Sequence, residues 1–332
     1  MSDEMVLLLF DHLHPCWNEE SVFLAGEDPE SLGRLHVEGL LDKNTDRYFL
    51  SAKGIDVFKT LSSQWFCETV PVEESLDEAA QKYFLWRTTF QSLLDRSFVA
   101  RWGAKDYHLG LHLEYSPALS GKDFFVNESS HIVWTYDSHP LVKKMKEDFS
   151  LSGVKAREKT PRTLEEIKEW HKLNNVPSSF FYVDLLLLGR YDFAYYMHYP
   201  KHPNDVLGLV NADKFFCFQA PKPFEHVDSY IETIGKVHLF LLNQRRMYIP
   251  GYVDLDSADQ DSLNWIIWIV DTEEEALSLH KILDPMGESL IGPARPLDVW
   301  ILSLEALRNV HEKYEMVYDL FPHVAHSVIR SI

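Results

Sequence analysis

The stretch that most narrows the fold of this chain is residues 35–61, LHVEGLLDKNTDRYFLSAKGIDVFKTL. Leu32, Leu35, Val37 and Leu40 mark the apolar face of a helix predicted over 29–41. Asp28 is its N-cap, and Pro29 occupies the first turn, where a missing N–H is harmless. A polar turn over 42–46 follows. Arg47-Tyr48-Phe49-Leu50 then alternates as a short strand, and Ser51-Ala52-Lys53-Gly54 opens an amphipathic helix over 55–66. Upstream, one helix is predicted over 5–14, ended by Pro15. A second spans 19–25, capped by Asn18 and closed by Gly26.

At 332 residues the chain has room for two or three domains, and its 45% hydrophobic content can fill a substantial core. The apolar runs 5–10, 185–188 and 265–270 fall far short of the ~20 residues that cross a bilayer. The start, Met1-Ser2-Asp3-Glu4, lacks the basic region of a signal peptide, so a cytoplasmic chain without membrane contact is expected. Cys16, Cys67 and Cys217 are odd in number and widely spaced, which suits buried thiols rather than a disulfide framework or a metal site. The net charge of −19 disfavours nonspecific binding to nucleic acid or anionic membrane.

Beyond residue 66 an acidic connector leads into a helix predicted over 76–100. Residues 107–115 alternate as a strand, and a second strand is expected over 131–136, after a Ser/Gly/Asn loop. Residues 143–172 are the most basic segment, with 9 Lys/Arg against 6 Asp/Glu, and include a helix from Thr163 to 173. Strands are predicted over 180–188, 191–199 (after a tight turn at Gly189-Arg190), 206–210, 215–218, 237–242, 247–253, 265–270 and 299–302. Helices are predicted over 272–283, capped by Thr272, and over 303–318.

The order of helix, hairpin wing and helix in residues 1–66 resembles the winged-helix domains of bacterial and archaeal transcriptional regulators. The resemblance implies a recognition helix at 29–41 that enters a DNA major groove and a wing at 42–50 laid along the backbone. The matching positions for nucleic-acid contact are Ser31, Arg34 and His36 on the helix, and Lys43, Asn44 and Arg47 in the wing. Yet residues 1–66 hold 5 Lys/Arg against 12 Asp/Glu, a net of −7. Firm DNA binders neutralise about 6–10 phosphates. Docking of a protein partner, or self-association through the winged helix, is therefore expected ahead of duplex DNA.

The expected fold class is α+β: a winged-helix-like domain at 1–70, a connecting helix at 71–100, and a larger mixed α+β domain at 101–332 with a mainly antiparallel sheet and a candidate subdivision near 176. The function this supports is a regulatory or adaptor protein whose C-terminal domain binds a ligand or partner. The alternative is an enzyme with a pocket in 180–300 around Tyr196, His198, His202 and Arg246, where aromatic and histidine residues concentrate. Asp11-His12-Leu13-His14 is similar to the H-x-H pair of amidohydrolases but lacks its spacing. His108, His112 and Glu114 share one strand face, with the two histidines roughly 13 Å apart. His311 and Glu315 are four apart on the last predicted helix. None assembles a ligand set, so no metal, cofactor or catalytic residue is assigned. Phosphate-loop, dinucleotide, serine-hydrolase and zinc-protease motifs are all missing from the sequence.

Overall fold

The computed structural model describes residues 3–65, 70–73, 75–98, 107–115, 124–126, 132–134, 179–188, 213–244, 264–286, 297–315 and 317–329. The fold is α+β, with a small antiparallel two-stranded sheet near the N-terminus and a larger mixed sheet after it. The chain divides into two compact units. The first comprises Met1–Arg101 with Leu307–Leu320, and the second Trp102–Ala306 with Phe321–Ile332. The helix expected to connect domains, found at Glu78–Ser97, lies in the first unit.

The first unit runs α1 (Asp3–Leu7), α2 (Glu19–Leu24), α3 (Glu30–Val37), β1 (Leu41–Asn44), β2 (Arg47–Leu50), α4 (Ala52–Gln64) and α5 (Glu78–Ser97). Its core packs Val6, Leu7, Phe10, Trp17, Val22, Leu32, Leu35, Leu41, Tyr48 and Leu61. Helix α2 is fixed by a reciprocal capping box between Asn18 and Ser21. Just past helix α3, Gly39 takes a φ of +74° that suits glycine, with Gly39 N–H bonded to His36 O and Leu40 N–H to Leu35 O. Ser51 then caps α4: its Oγ accepts from Gly54 N–H at 3.0 Å and donates to Gly39 O at 2.7 Å.

Three expectations change here. Helix 5–14 stops at Leu7, because the Asp11 carboxylate draws the N–H groups of Leu13 (3.0 Å) and His14 (2.8 Å) into a local turn. Helix 29–41 ends at Val37. The polar stretch 42–46 is mostly strand, β1 pairing with β2 from Leu41↔Leu50 to Asn44↔Arg47, and the turn is only Thr45-Asp46, with Thr45 at φ +61°. A bridge between Trp17 and Tyr48 adds a single pairing outside the hairpin.

The second unit is built on β3 (Tyr107–Tyr115), β4 (Phe124–Val126), β5 (Ile132–Trp134), β6 (Ser179–Leu188), β7 (Lys214–Gln219), β8 (Asn264–Val270), β9 (Leu297–Ser303) and β10 (Ala325–Ile329), in the order β10-β9-β8-β7-β6-β3-β4-β5. Only the β7–β8 and β8–β9 pairings are parallel. Their crossovers carry α6 (Val227–Gln244) and α7 (Glu273–Leu283). Both helices pack on the face formed by Phe216, Phe218, Ile266, Trp268, Val299 and Ile301. The other face is also apolar, with Phe321 of α9 (Val317–Val324) on Phe215 and Trp265. Burial on both faces explains why β8, NWIIWIV, is apolar from Trp265 to Val270 rather than alternating.

Residues 237–242, expected as a strand, continue α6. A six-residue apolar run does not distinguish strand from helix, whereas buried Tyr230, Ile234 and Val237 recur at helical spacing. The expected helix 303–318 is instead the end of β9, a short α8 (Leu304–Arg308), a turn region, and the start of α9. His311 and Glu315 therefore share no helix face. Strand β10 follows Pro322 and was unexpected, as was β4 within the presumed loop. The elements expected at 163–173, 191–199, 206–210 and 247–253, with the turn at 189–190, lie outside the described residues.

Two glycines separate packing from propensity. A Cβ at Gly54 would sit 1.9 Å from the Leu40 carbonyl oxygen, whereas one at Gly33, inside α3, meets nothing within 4 Å. Gly54→Ala should destabilise the first unit by about 3 kcal/mol or more. Gly33→Ala should stabilise it by roughly 0.5–1 kcal/mol. Urea unfolding midpoints of the two variants measure both effects.

Candidate functional site

The positions matched to nucleic-acid contact are brought onto α3 and the β1–β2 hairpin, but most are engaged by the protein itself. Ser31 is buried, and its hydroxyl donates to Asp3 at 2.7 Å. Arg34 is bonded to the same carboxylate at 2.8 Å, to Asp28 at 2.7 Å, and lies 3.7 Å from Glu30. The guanidinium in turn holds the Asp3 and Asp28 carboxyls below their usual range. His36 points Nδ1 at Leu41 O, 2.8 Å away, and meets the Tyr48 ring edge-on. In the hairpin, Asn44 donates to Gln81 at 3.0 Å. Arg47 is buried, donates to Glu78 O at 3.3 Å and lies 3.8 Å from the Glu78 carboxylate. Lys43 alone of the hairpin pair is an exposed cation, held over the Tyr48 ring at 4.7 Å. The hydrogen bond to Tyr48 raises its pKa.

Besides the engaged Arg34 and His36, α3 and its C-cap expose Glu30, Gly33, Val37 and Glu38, with Val37 88% exposed. On α2, Phe23 is 67% exposed. Exposed large apolar side chains beside acids are the composition of a protein-contact surface rather than of a phosphate-tracking one.

Next to the hairpin a cavity of about 220 Å³ opens between β1, β2, the start of α4, the loop after α1 and the segment 72–76. It belongs wholly to the first unit. Sequence reasoning did not find it, because its walls come from five elements that only the folded chain brings together.

The loop between α1 and α2 holds a half-buried polar relay. Asp11 Oδ1 lies 3.0 Å from His14 Nδ1, and His14 Nε2 lies 2.5 Å from Gln91 Oε1 on α5. Burial favours the neutral Asp11 acid, but the bonds from the His14 ring and backbone, with the nearby histidines, prevail and hold its carboxyl below the ordinary range. Nearby Cys16 is buried, and desolvation pushes its thiol up to about 12, so it supplies no nucleophile to this pair.

In the second unit, ligands of parallel sheets sit beyond the strand C-termini. Here those ends carry the protein's own acids. Glu275 accepts from the N–H groups of Asp271 and Thr272, and the Glu305 carboxylate accepts from Glu273 N–H at 2.9 Å. Lys222 bridges Asp271 (3.1 Å) and Glu275 (2.5 Å). Glu273 takes the Ser303 hydroxyl at 2.7 Å and pairs with His326 of β10. Burial raises the Glu273 carboxyl, while these two partners lower it and set the net direction downward. The speculative ligand residues Tyr196, His198, His202 and Arg246 lie outside the described residues. His108 and His112 lie in β3, opposite Leu186 and Tyr182 of β6.

Comparison of the chain with protein-family models, with curated proteins and with solved structures finds no match. Among the described residues no helix is long and apolar enough to cross a membrane.

The relay makes a pH prediction. A carboxyl whose folded pKa lies below its unfolded value stabilises the fold above the unfolded pKa, and that contribution fades as pH falls through the folded one. Asp11→Asn should therefore lower stability at pH 7 by about 1–3 kcal/mol. The gap to wild type should narrow below about pH 4. Thermal melts of both proteins across pH 3–7 check this.

Proposed function

We propose that the first unit is a winged-helix-like docking module of a regulatory or adaptor protein, and that it engages a protein partner rather than duplex DNA. Two short helices followed by a paired hairpin and a further helix support the winged-helix resemblance. The observation that carries the choice of partner is the state of Arg34. Three carboxylates, from Asp3, Asp28 and Glu30, surround the one cation on α3 that would face a groove. Moving it to a phosphate would leave those acids unpaired against a polyanion. Arg47, the second expected contact, is buried against α5. Of the exposed cations nearby, Lys43 sits on Tyr48 and Lys53 donates to Glu38 O at 2.8 Å. That is far from the ~6–10 phosphate contacts of firm DNA binding.

The second unit, with its mixed sheet and covered faces, is the larger partner of this module in our reading. Free, buried Cys16 and Cys217 support a reducing, cytoplasmic setting.

A fluorescence-anisotropy titration of the full chain against mixed-sequence duplex DNA at 50 mM salt tests the choice. No saturable binding is expected. Binding that falls steeply with added salt and weakens in Arg34→Ala overturns the docking reading in favour of DNA.

A further inference from the structure

The cavity beside the hairpin has a shape and a chemistry that specify an occupant. Its floor is apolar, with Phe10, Phe49, Ile55 and Leu76 among the lining residues, and its polar wall carries Asp42 and Glu73. Asp42 stands directly across from Phe49 in the hairpin register, so the acid and the aromatic ring lie on one face of the ribbon. Glu73 is engaged by Lys59 at 2.5 Å, whereas among the described residues no cation pairs with exposed Asp42.

Size decides what fits. Sites for drug-sized ligands and cofactors enclose about 300–1,000 Å³. A volume of about 220 Å³ holds a single large side chain. An apolar floor with a carboxylate at the mouth suits a side chain that is aliphatic along its stem and positive at its tip, the pattern by which Lys and Arg lay their methylenes on apolar surface. The surroundings favour the same sign, since residues 1–66 carry a net charge of −7. An acidic second copy of this chain is a poor occupant for the same reason.

We infer that this cavity is the anchor site of the docking module, and that it accepts one long cationic side chain, Arg or Lys, from an apolar-flanked segment of a partner protein. The inference rests on the docking reading above and names its partner by chemistry. The aliphatic stem covers Phe49 and Ile55, and the charged tip pairs with Asp42.

The test uses the full chain and a fluorescein-labelled, end-blocked peptide, Ala-Leu-Arg-Leu-Ala, followed by anisotropy at 50 mM salt. Saturable binding is expected, with the peptide bearing Glu in place of Arg about tenfold weaker or worse. Asp42→Lys should weaken binding about tenfold, because one attraction is replaced by a repulsion at the mouth. Glu274→Lys, an equal charge change at an exposed position in the second unit, should leave affinity within about twofold. Ala52→Trp, at an exposed position lining the cavity, should abolish binding by filling it. Should that variant fail to fold by circular dichroism, the paired charge variants decide alone. Equal weakening by Asp42→Lys and Glu274→Lys overturns the inference, since the binding would then be unspecific charge attraction. Undiminished binding in folded Ala52→Trp overturns it as well. If neither peptide nor duplex DNA binds, the cavity inference falls while the docking reading of α3 stands; duplex binding sinks the docking reading itself.

Discussion

The close contact between the end of α3 and the start of α4 holds the first unit together. Gly54 lies so near the Leu40 carbonyl that no side chain fits between them. Ser51 stitches the same junction three times: N–H to Leu40 O, Oγ–H to Gly39 O, and Oγ accepting from Gly54 N–H. The hairpin leaves α3 and enters α4 through this point, so its angle is set there. Everything the hairpin presents follows from that angle, including the face shared by Asp42 and Phe49 and the cavity below them. The contact is short-range, because it depends on a missing Cβ and on backbone groups bonded across the junction.

Electrostatics then sets the character of the α3 surface. A recognition helix that reads DNA keeps its cations free and its acids away from the groove face. Helix α3 does the reverse. Arg34 serves to draw α1 and the loop before α3 together, since Asp3 and Asp28 come from those two segments. Its exposure is partial, and the exchange of one partner for another would be nearly neutral in water. Its geometry, however, bonds to two carboxylates at once, which a single phosphate replaces poorly. The surface that remains is acidic with apolar points at Val37 and Phe23.

How much of this was legible in the sequence varied by element. Asn18, Asp77 and Thr272 each cap a helix within a residue or two of its expected start, and Ser51 caps one that begins three residues early, because capping is a local bond between a side chain and the next turn. The strand expected at 107–115 and the apolar block of β8 likewise stand where the local pattern put them. The failures share a different cause. Residues 237–242 are equally apolar as strand or helix, and only Tyr230 and Ile234 upstream reveal the helical period. Asp11 stops α1 through a turn that propensity does not encode. Strand β10 exists because β9 offers it an edge, which no property of AHSVI announces. The candidate site was half legible. The residues on α3 and the hairpin could be named, but not that Arg47 is buried against α5 or that Arg34 is surrounded by acids, since those partners lie up to 31 residues away. The cavity was invisible for the same reason.

The large negative charge of the chain is also a structural material. Asp11, Asp28 and Asp77 accept backbone N–H groups at turns and helix starts in the first unit, and Glu275, Glu305 and Asp184 do so in the second. A helix N-terminus is ordinarily a ready site for phosphate, because its first N–H groups have no partner within the helix. Where the chain supplies its own carboxylate, that site is closed, and an incoming anion would have to displace a tethered one of the same charge. The carboxylates of Asp77, Glu275 and Glu305 occupy the described N-termini of α5 and α7 in this way, while the neutral hydroxyls of Ser51 and Thr272 take one N–H each at α4 and α7. The pairing of Arg34 with the chain's own carboxylates on α3 has a counterpart at the sheet, where Asp271 and Glu275 hold Lys222. Acids that are already bonded to backbone offer little to a cation either. Asp42 differs from these bonded acids: among the described residues no cation pairs with it, and it stands across from Phe49 in the hairpin register.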